Sequence, residues 1–91
     1  EGFWRKLHGN QFQVGLPDNI HIKDGHVWFY EFKVSDTKRV PWKKFRLAQH
    51  LTILSMEKAG ANVRYVIYVR ETDSFAMVRP VCVVEGFGVN L

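Results

Sequence analysis

Apolar and polar residues alternate with a period near two over most of the chain and adopt a helical period once, so the sequence reads as strands around one helix. Residues 3–7 are expected to form a short strand, followed by a polar, glycine-containing stretch over 8–15. Residues 19–22 and 27–34 flank Lys23-Asp24-Gly25-His26, and Asp-Gly between two apolar runs predicts an antiparallel hairpin. Over 41–59 the pattern is helical, with Pro41 in the first turn, where its missing N–H costs nothing, and Gly60 at the stop. Residues 63–69 are β-branched and aromatic and predict another strand. Residues 77–84 predict one more, bulged or at an edge, because Pro80 cannot donate to a ladder. Phe87, Val89 and Leu91 alternate, and either add a strand or pack on a partner.

The strand over 27–34 places Val27, Phe29, Glu31 and Lys33 on one face and Trp28, Tyr30, Phe32 and Val34 on the other. Both faces read as largely buried. At 100° per residue the helix gathers Trp42, Phe45, Ala48, Thr52, Ile53, Met56 and Ala59 into a sheet-facing stripe, with Gln49 near its middle. A second row, Leu47, Leu51 and Leu54, lies on another side of the same helix. One helix cannot cover two sheet faces and also bury its own second row, so an upstream helix or a partner subunit is expected to supply the missing cover.

At 91 residues the chain has room for one core, and a two-domain cleft is excluded. The expected fold class is α/β: a mixed sheet of about five strands with one main helix, in a single domain over 1–91. Thirteen basic against nine acidic side chains give a formal charge of +4, which points to a polyanionic partner. The one cysteine, Cys82, excludes an internal disulfide framework, reads as a buried hydrophobe, and makes a reducing, cytoplasmic setting the expectation. No apolar run approaches the ~18 residues of a membrane span, and the chain opens without methionine or a signal-like segment. His8, His21, His26 and His50 lack the paired spacing of a zinc site and read as structural or surface residues.

The sharpest chemistry lies in Gly15-Leu16-Pro17-Asp18, then Glu31-Phe32-Lys33, with Gln49 on the following helix. Glu31 and Lys33 stand two apart on a strand, so their side chains share a face. Two carboxylates converging on one spot repel unless a cation sits between them, and hard oxygen ligands suit Mg²⁺ or Mn²⁺. With a lysine beside them, such a site fits metal-assisted hydrolysis of a phosphodiester. The other readings are a loop aspartate beside a cross-strand ion pair, and for Gln49 a satisfied buried amide. Asp24 reads as a turn residue.

Pro17-Asp18, twelve intervening residues and Glu31-Phe32-Lys33 resemble the PD-(D/E)XK nuclease superfamily, whose motif is Pro-Asp, a spacer, then an acidic residue, any residue and lysine. The glycine before that motif, the hairpin between the acidic residues, the basic run into a helix bearing Gln49, and Ala59-Gly60-Ala61 before a valine-rich strand resemble the virus-type replication-repair nuclease (VRR-Nuc) domain. Archaeal Holliday-junction resolvases are similar in the same core. The resemblance implies a restriction-endonuclease-like core in which Asp18, Glu31 and the backbone carbonyl of Phe32 hold a Mg²⁺ or Mn²⁺ ion. It further implies that Lys33 positions or activates the attacking water, that Gln49 sits near the catalytic centre, and that Lys6 matches a basic position on the first strand. The family begins with a helix bearing another acidic residue, whereas this chain starts at the first strand.

Lys33, Lys38, Arg39, Lys43, Lys44 and Arg46 form a basic run interrupted only by Asp36, a phosphate track that positions a duplex without reading its bases. Trp42 within it reads as core rather than as a stacking platform. Taken with the resemblance, the expectation is a Mg²⁺-dependent, structure-selective endonuclease acting as a homodimer on branched or junction DNA, in the cytoplasm of its cell or of a host, with no membrane and no small-molecule cofactor. The alternatives are a non-catalytic nucleic-acid-binding or assembly module of the same fold, and the nuclease part of a larger DNA-cleaving protein.

Overall fold

A computed structural model of the chain describes residues 1–7 and 15–91; the polar stretch expected after the first strand lies mostly outside them. In chain order the strands are β1 (Phe3–Lys6), β2 (Asn19–Lys23), β3 (His26–Ser35), β4 (Arg39–Val40), β5 (Asn62–Val69), β6 (Ser74–Val78) and β7 (Val89–Asn90), with one helix, α1 (Leu47–Lys58), between β4 and β5. The fold is α/β, with a mixed five-stranded sheet in the order β1-β2-β3-β5-β6 and one main helix. β4 and β7 pair separately.

The hairpin forms where Asp-Gly predicts it. Asp24 and Gly25 both have positive φ, 52° and 79°, which a two-residue turn matched to the strand twist requires. It sets Glu31 one residue beyond the end of the ladder, because β2 pairs β3 only as far as Asn19 with Tyr30. From Trp28 to Ser35, β3 also runs parallel to β5, placing Glu31 beside Tyr65 and Lys33 beside Ile67. Parallel neighbours need a crossover, and α1 supplies it.

Two element boundaries differ from the sequence expectation. The helical pattern over 41–59 resolves into a 3₁₀ turn, Trp42–Lys44, an extended Phe45 and Arg46, and only then α1. The break turns Phe45 into the core, edge-on to Tyr65 at 5.0 Å between ring centroids. Trp42 and Phe45 therefore do not share the phase of α1, and its buried stripe is Gln49, His50 and Ile53 rather than one including Ala48 and Ala59. The strand expected over 77–84 runs instead from Ser74 to Val78 on the edge of the sheet; Pro80 opens a 3₁₀ turn, Pro80–Cys82, and Cys82 is exposed rather than buried.

The core lies between α1 and one sheet face, where Ile53 meets Val63, Tyr65, Ile67 and Val78, extended by Val40, Phe45, Val83 and Val89. α1 reverses the usual rule of burial: Gln49 and His50 are inside while Leu47 and Leu51 are about half exposed. Buried polar groups are tolerated when hydrogen-bonded, and both are. His50 Nδ1 lies 2.8 Å from the hydroxyl of the fully buried Tyr65.

The opposite face carries Trp4, His21, Trp28, Tyr30, Phe32, Val66, Phe75 and Met77. Among the described residues no helix covers it. Both faces of β3 read as buried in the sequence, but Phe32 and Val34 are more than 40% exposed, because the single crossover helix lies on one side only. No helix is long and apolar enough to cross a membrane.

Gly25 has open space where a Cβ would go, whereas a Cβ on Gly88 would fall 1.9 Å from the Val40 carbonyl oxygen. Gly25→Ala is expected to cost about 1 kcal/mol, through its positive φ alone. Gly88→Ala is expected to cost several times more and to detach β7 from β4, as read by denaturant midpoints. A second prediction concerns pH. Burial lowers the His50 pKa from its ordinary value, against opposing pulls from the Val83 main chain and Glu85. Below about pH 6.5 the unfolded chain therefore takes up a proton at His50 that the folded chain does not. Stability is expected to fall with a slope of up to about 1.4 kcal/mol per pH unit at this group, and His50→Asn to remove that component in urea titrations at pH 7.5 and 5.5.

Candidate active site

Glu31 is 4% exposed on the α1 face of β3, just beyond the point where β2 ends. The loop entering β2 brings Asp18 to it: the Asp18 backbone N–H donates to Glu31 Oε1 at 3.0 Å. The other carboxylate oxygen, Oε2, lies 3.5 Å from Lys33 Nζ. Lys33 also donates to Gln49 Oε1 at 3.3 Å, and Gln49 Nε2 donates to the Leu16 carbonyl at 3.4 Å. The contacts close into a ring running from the Leu16–Asp18 loop through Glu31, Lys33 and Gln49 and back to the loop. Glu31, Lys33 and Gln49, taken together with Asp18 from the sequence, thus meet at one place, Asp18 joining them through its backbone N–H.

Local backbone chemistry explains how the loop seats there. Gly15 is buried with φ of 96°, and a Cβ on it would come within 2.6 Å of Thr52 Oγ1 and 3.4 Å of the Ala48 carbonyl. Only glycine lets the loop lie this close to α1. Pro17 follows, fully buried, and fixes the backbone before Asp18. Gln49 is in the first turn of α1, on the side that faces both the loop and Lys33.

Burial pushes the Glu31 carboxyl above its ordinary pKa; Lys33 opposes this, the Asp18 carboxylate adds to it, and the hydrogen bonds from Gln49 and the Asp18 backbone oppose it. A buried carboxylate beside another carboxylate is electrostatically unfavourable without a cation, and such groups concentrate at functional sites. Among the described residues no cluster of three His, Cys, Asp or Glu side chains occurs. Two carboxylates with main-chain oxygen nonetheless suit Mg²⁺, which is commonly held by one or two carboxylates and keeps several waters. Phe32 lies on the stretch of β3 that β2 leaves unpaired, so its main chain is not engaged from that side by β2.

The basic residues divide. Arg39, Lys43 and Lys44 line one cleft with Ser35, Asp36, Thr37 and Pro41, just past the carboxyl end of β3. Lys38 adjoins it, its backbone N–H donating to Glu71 Oε1 at 2.7 Å, and Arg46 caps α1 three residues before Gln49. Lys6 is not brought to the carboxylates: it pairs with Asn19, which pairs with Tyr30, and so stands on the opposite face from Glu31. Arg5, one residue earlier, shares the Glu31 face; the alternation of β1 predicts this once the register is known, and the sequence reading missed it. His50, read from the sequence as structural or surface, is buried and paired with the Tyr65 hydroxyl.

No protein-family model and no curated protein matches the chain.

The raised Glu31 pKa means that the fold favours the neutral group. Glu31→Gln is therefore expected to raise the melting temperature of the chelator-treated protein at neutral pH. An unchanged or lowered melting temperature by calorimetry would count against a strained carboxylate.

Proposed function

We propose that the chain is a Mg²⁺- or Mn²⁺-dependent, structure-selective DNA endonuclease that acts as a homodimer on branched DNA, four-way junctions above all. The observation that carries this reading is the closed ring of contacts joining the Asp18 loop, Glu31, Lys33 and Gln49. It assembles, from positions 31 residues apart, the residue types that the PD-(D/E)XK resemblance assigns to metal binding and water activation. An ion-paired surface cluster needs no buried glutamate and no buried glutamine; this site has both.

In this reading Asp18 and Glu31 hold the ion, with the Phe32 carbonyl as a further ligand. A bound divalent ion supplies acidification of water and neutralisation of charge developing on the phosphate. Lys33, beside Glu31 Oε2, would be the donor that holds the attacking water or a phosphate oxygen. Gln49 keeps the ammonium group on the carboxylate side. The cleft with Arg39, Lys43 and Lys44, flanked by Lys38 and Arg46, takes phosphates to one side of the cut and contributes affinity without base recognition. The exposed Phe32, Phe75, Met77, Leu47 and Leu51 favour a second subunit, and a two-fold dimer would offer a junction two sites.

The second reading, a non-catalytic DNA-binding module, is favoured by one fact: no group of three His, Cys, Asp or Glu side chains that could hold a metal ion occurs among the described residues. A cleavage panel separates the two. Junction, flap and linear duplex DNA are incubated with the chain in Mg²⁺ or Mn²⁺, with mass measured in solution. Cleavage of the junction is expected, with a loss of about 10³-fold in Glu31→Ala. Salt-sensitive binding with no cleavage of any substrate would assign the binding-module reading. In the same assay Lys43→Ala combined with Lys44→Ala is expected to lower the slope of log affinity against log salt by about 2, while leaving kcat within a few-fold.

A further inference from the structure

Behind the ring of site residues lies a second polar pair that the proposed chemistry does not use. His50 follows Gln49 directly in α1, and its Nδ1 is 2.8 Å from the hydroxyl of Tyr65. Both side chains are fully buried, and both pack against Phe45, with ring centroids 6.4 Å and 5.0 Å from it. Tyr65 is the residue of β5 paired in register with Glu31 on β3. The imidazole Nδ1 and the tyrosine hydroxyl form one hydrogen bond, whose donor is set by the imidazole tautomer. The tether thus fastens the first turn of α1 to the sheet at the level of Glu31, one residue away from the glutamine that holds Lys33 and the Asp18 loop.

We propose that His50 and Tyr65 are positioning residues: their buried hydrogen bond fixes α1 against the sheet so that Gln49 stays in register with Lys33 and the Leu16 carbonyl. A purely apolar helix would pack on this sheet equally well, and α1 could have turned Leu47 or Leu51 inward. Apolar packing is non-directional and tolerates sliding of a helix by fractions of an ångström, whereas a buried hydrogen bond to one atom does not. The hydrogen bond joins His50 to Tyr65 and neither residue lines the basic cleft, so its loss is read in turnover rather than in DNA binding.

The inference rests on the nuclease reading for its kinetic consequence but not for its geometric one, and the test separates them. Tyr65→Phe deletes only the hydroxyl, His50→Leu its ring-nitrogen partner, and His50→Asn returns a polar group near the position of Nδ1. Val89→Ala, in the core on β7 and no party to the tether's hydrogen bond, controls for lost stability. The side-chain amide resonances of Gln49 in the metal-free protein, and kcat and KM on junction DNA, are measured well below each melting temperature. Tyr65→Phe and His50→Leu are expected to shift the Gln49 resonances and to lower kcat about tenfold with KM within twofold; His50→Asn recovers most of the loss, and Val89→Ala changes neither readout. Unmoved Gln49 resonances in Tyr65→Phe, or an equal effect in Val89→Ala, overturn the proposal. A wild-type chain that cleaves nothing, yet shows the Gln49 shift, overturns the nuclease reading and leaves the positioning role standing.

Discussion

The burial of one carboxylate constrains the rest of this structure. Glu31 sits on the covered face of a sheet strand, where an ionised group is costly unless its oxygens are occupied. Each surrounding feature answers that cost in part. The Asp18 N–H occupies one oxygen, Lys33 stands against the other, and Gln49 holds Lys33 from the helix side. The price is a helix that buries a glutamine and a histidine and exposes two leucines. A core selected for stability alone would show the reverse, so the arrangement has the character of a site to which packing has been subordinated.

The same constraint accounts for the backbone around it. The loop carrying Asp18 reaches Glu31 only because Gly15 adopts a positive φ against Thr52, and because Pro17 fills the space beneath the turn. β2 stops pairing at Tyr30, which leaves the edge of β3 next to Asp18 free of a neighbouring strand. The parallel partner β5 backs the site with Tyr65 and Ile67, fully buried, so Glu31 and Lys33 are held on rigid strand rather than on loop. Rigid support of this kind is what precise placement of charged groups requires.

The two faces of the sheet divide the molecule. The α1 face holds the core and the carboxylate ring; the other shows stacked Trp4 and His21, and Phe75 and Met77 at 69% and 62% exposure. Among the described residues that second face is apolar and without a covering helix. The basic cleft opens beyond the carboxyl end of β3, on from Lys33, which is where ligands gather in sheets with parallel strands.

Much of this was written in local sequence. The Asp-Gly turn, the spacing of Glu31 and Lys33, and the apolar alternation of β3 and β5 depend on chain stereochemistry, and these elements form where that chemistry places them. Glu31 and Gln49 were legible because polar residues interrupt apolar patterns there, and Asp18 and Lys33 through the Pro-Asp and Glu-Phe-Lys spacing. The rest required the third dimension. The start of α1 is decided by Phe45, whose ring reaches Tyr65 only if the backbone is extended there; helical periodicity has no term for that contact. Cys82 is exposed because Pro80 turns the chain away from the sheet. The face of Lys6 follows from strand register, and the importance of His50 from a hydroxyl fifteen residues away. Periodicity, then, fixed which residues could share a face, because alternation is a property of the local backbone. Which face is covered, and which polar groups meet inside it, was decided by the parallel pairing of β3 with β5 and by the single helix that crosses between them.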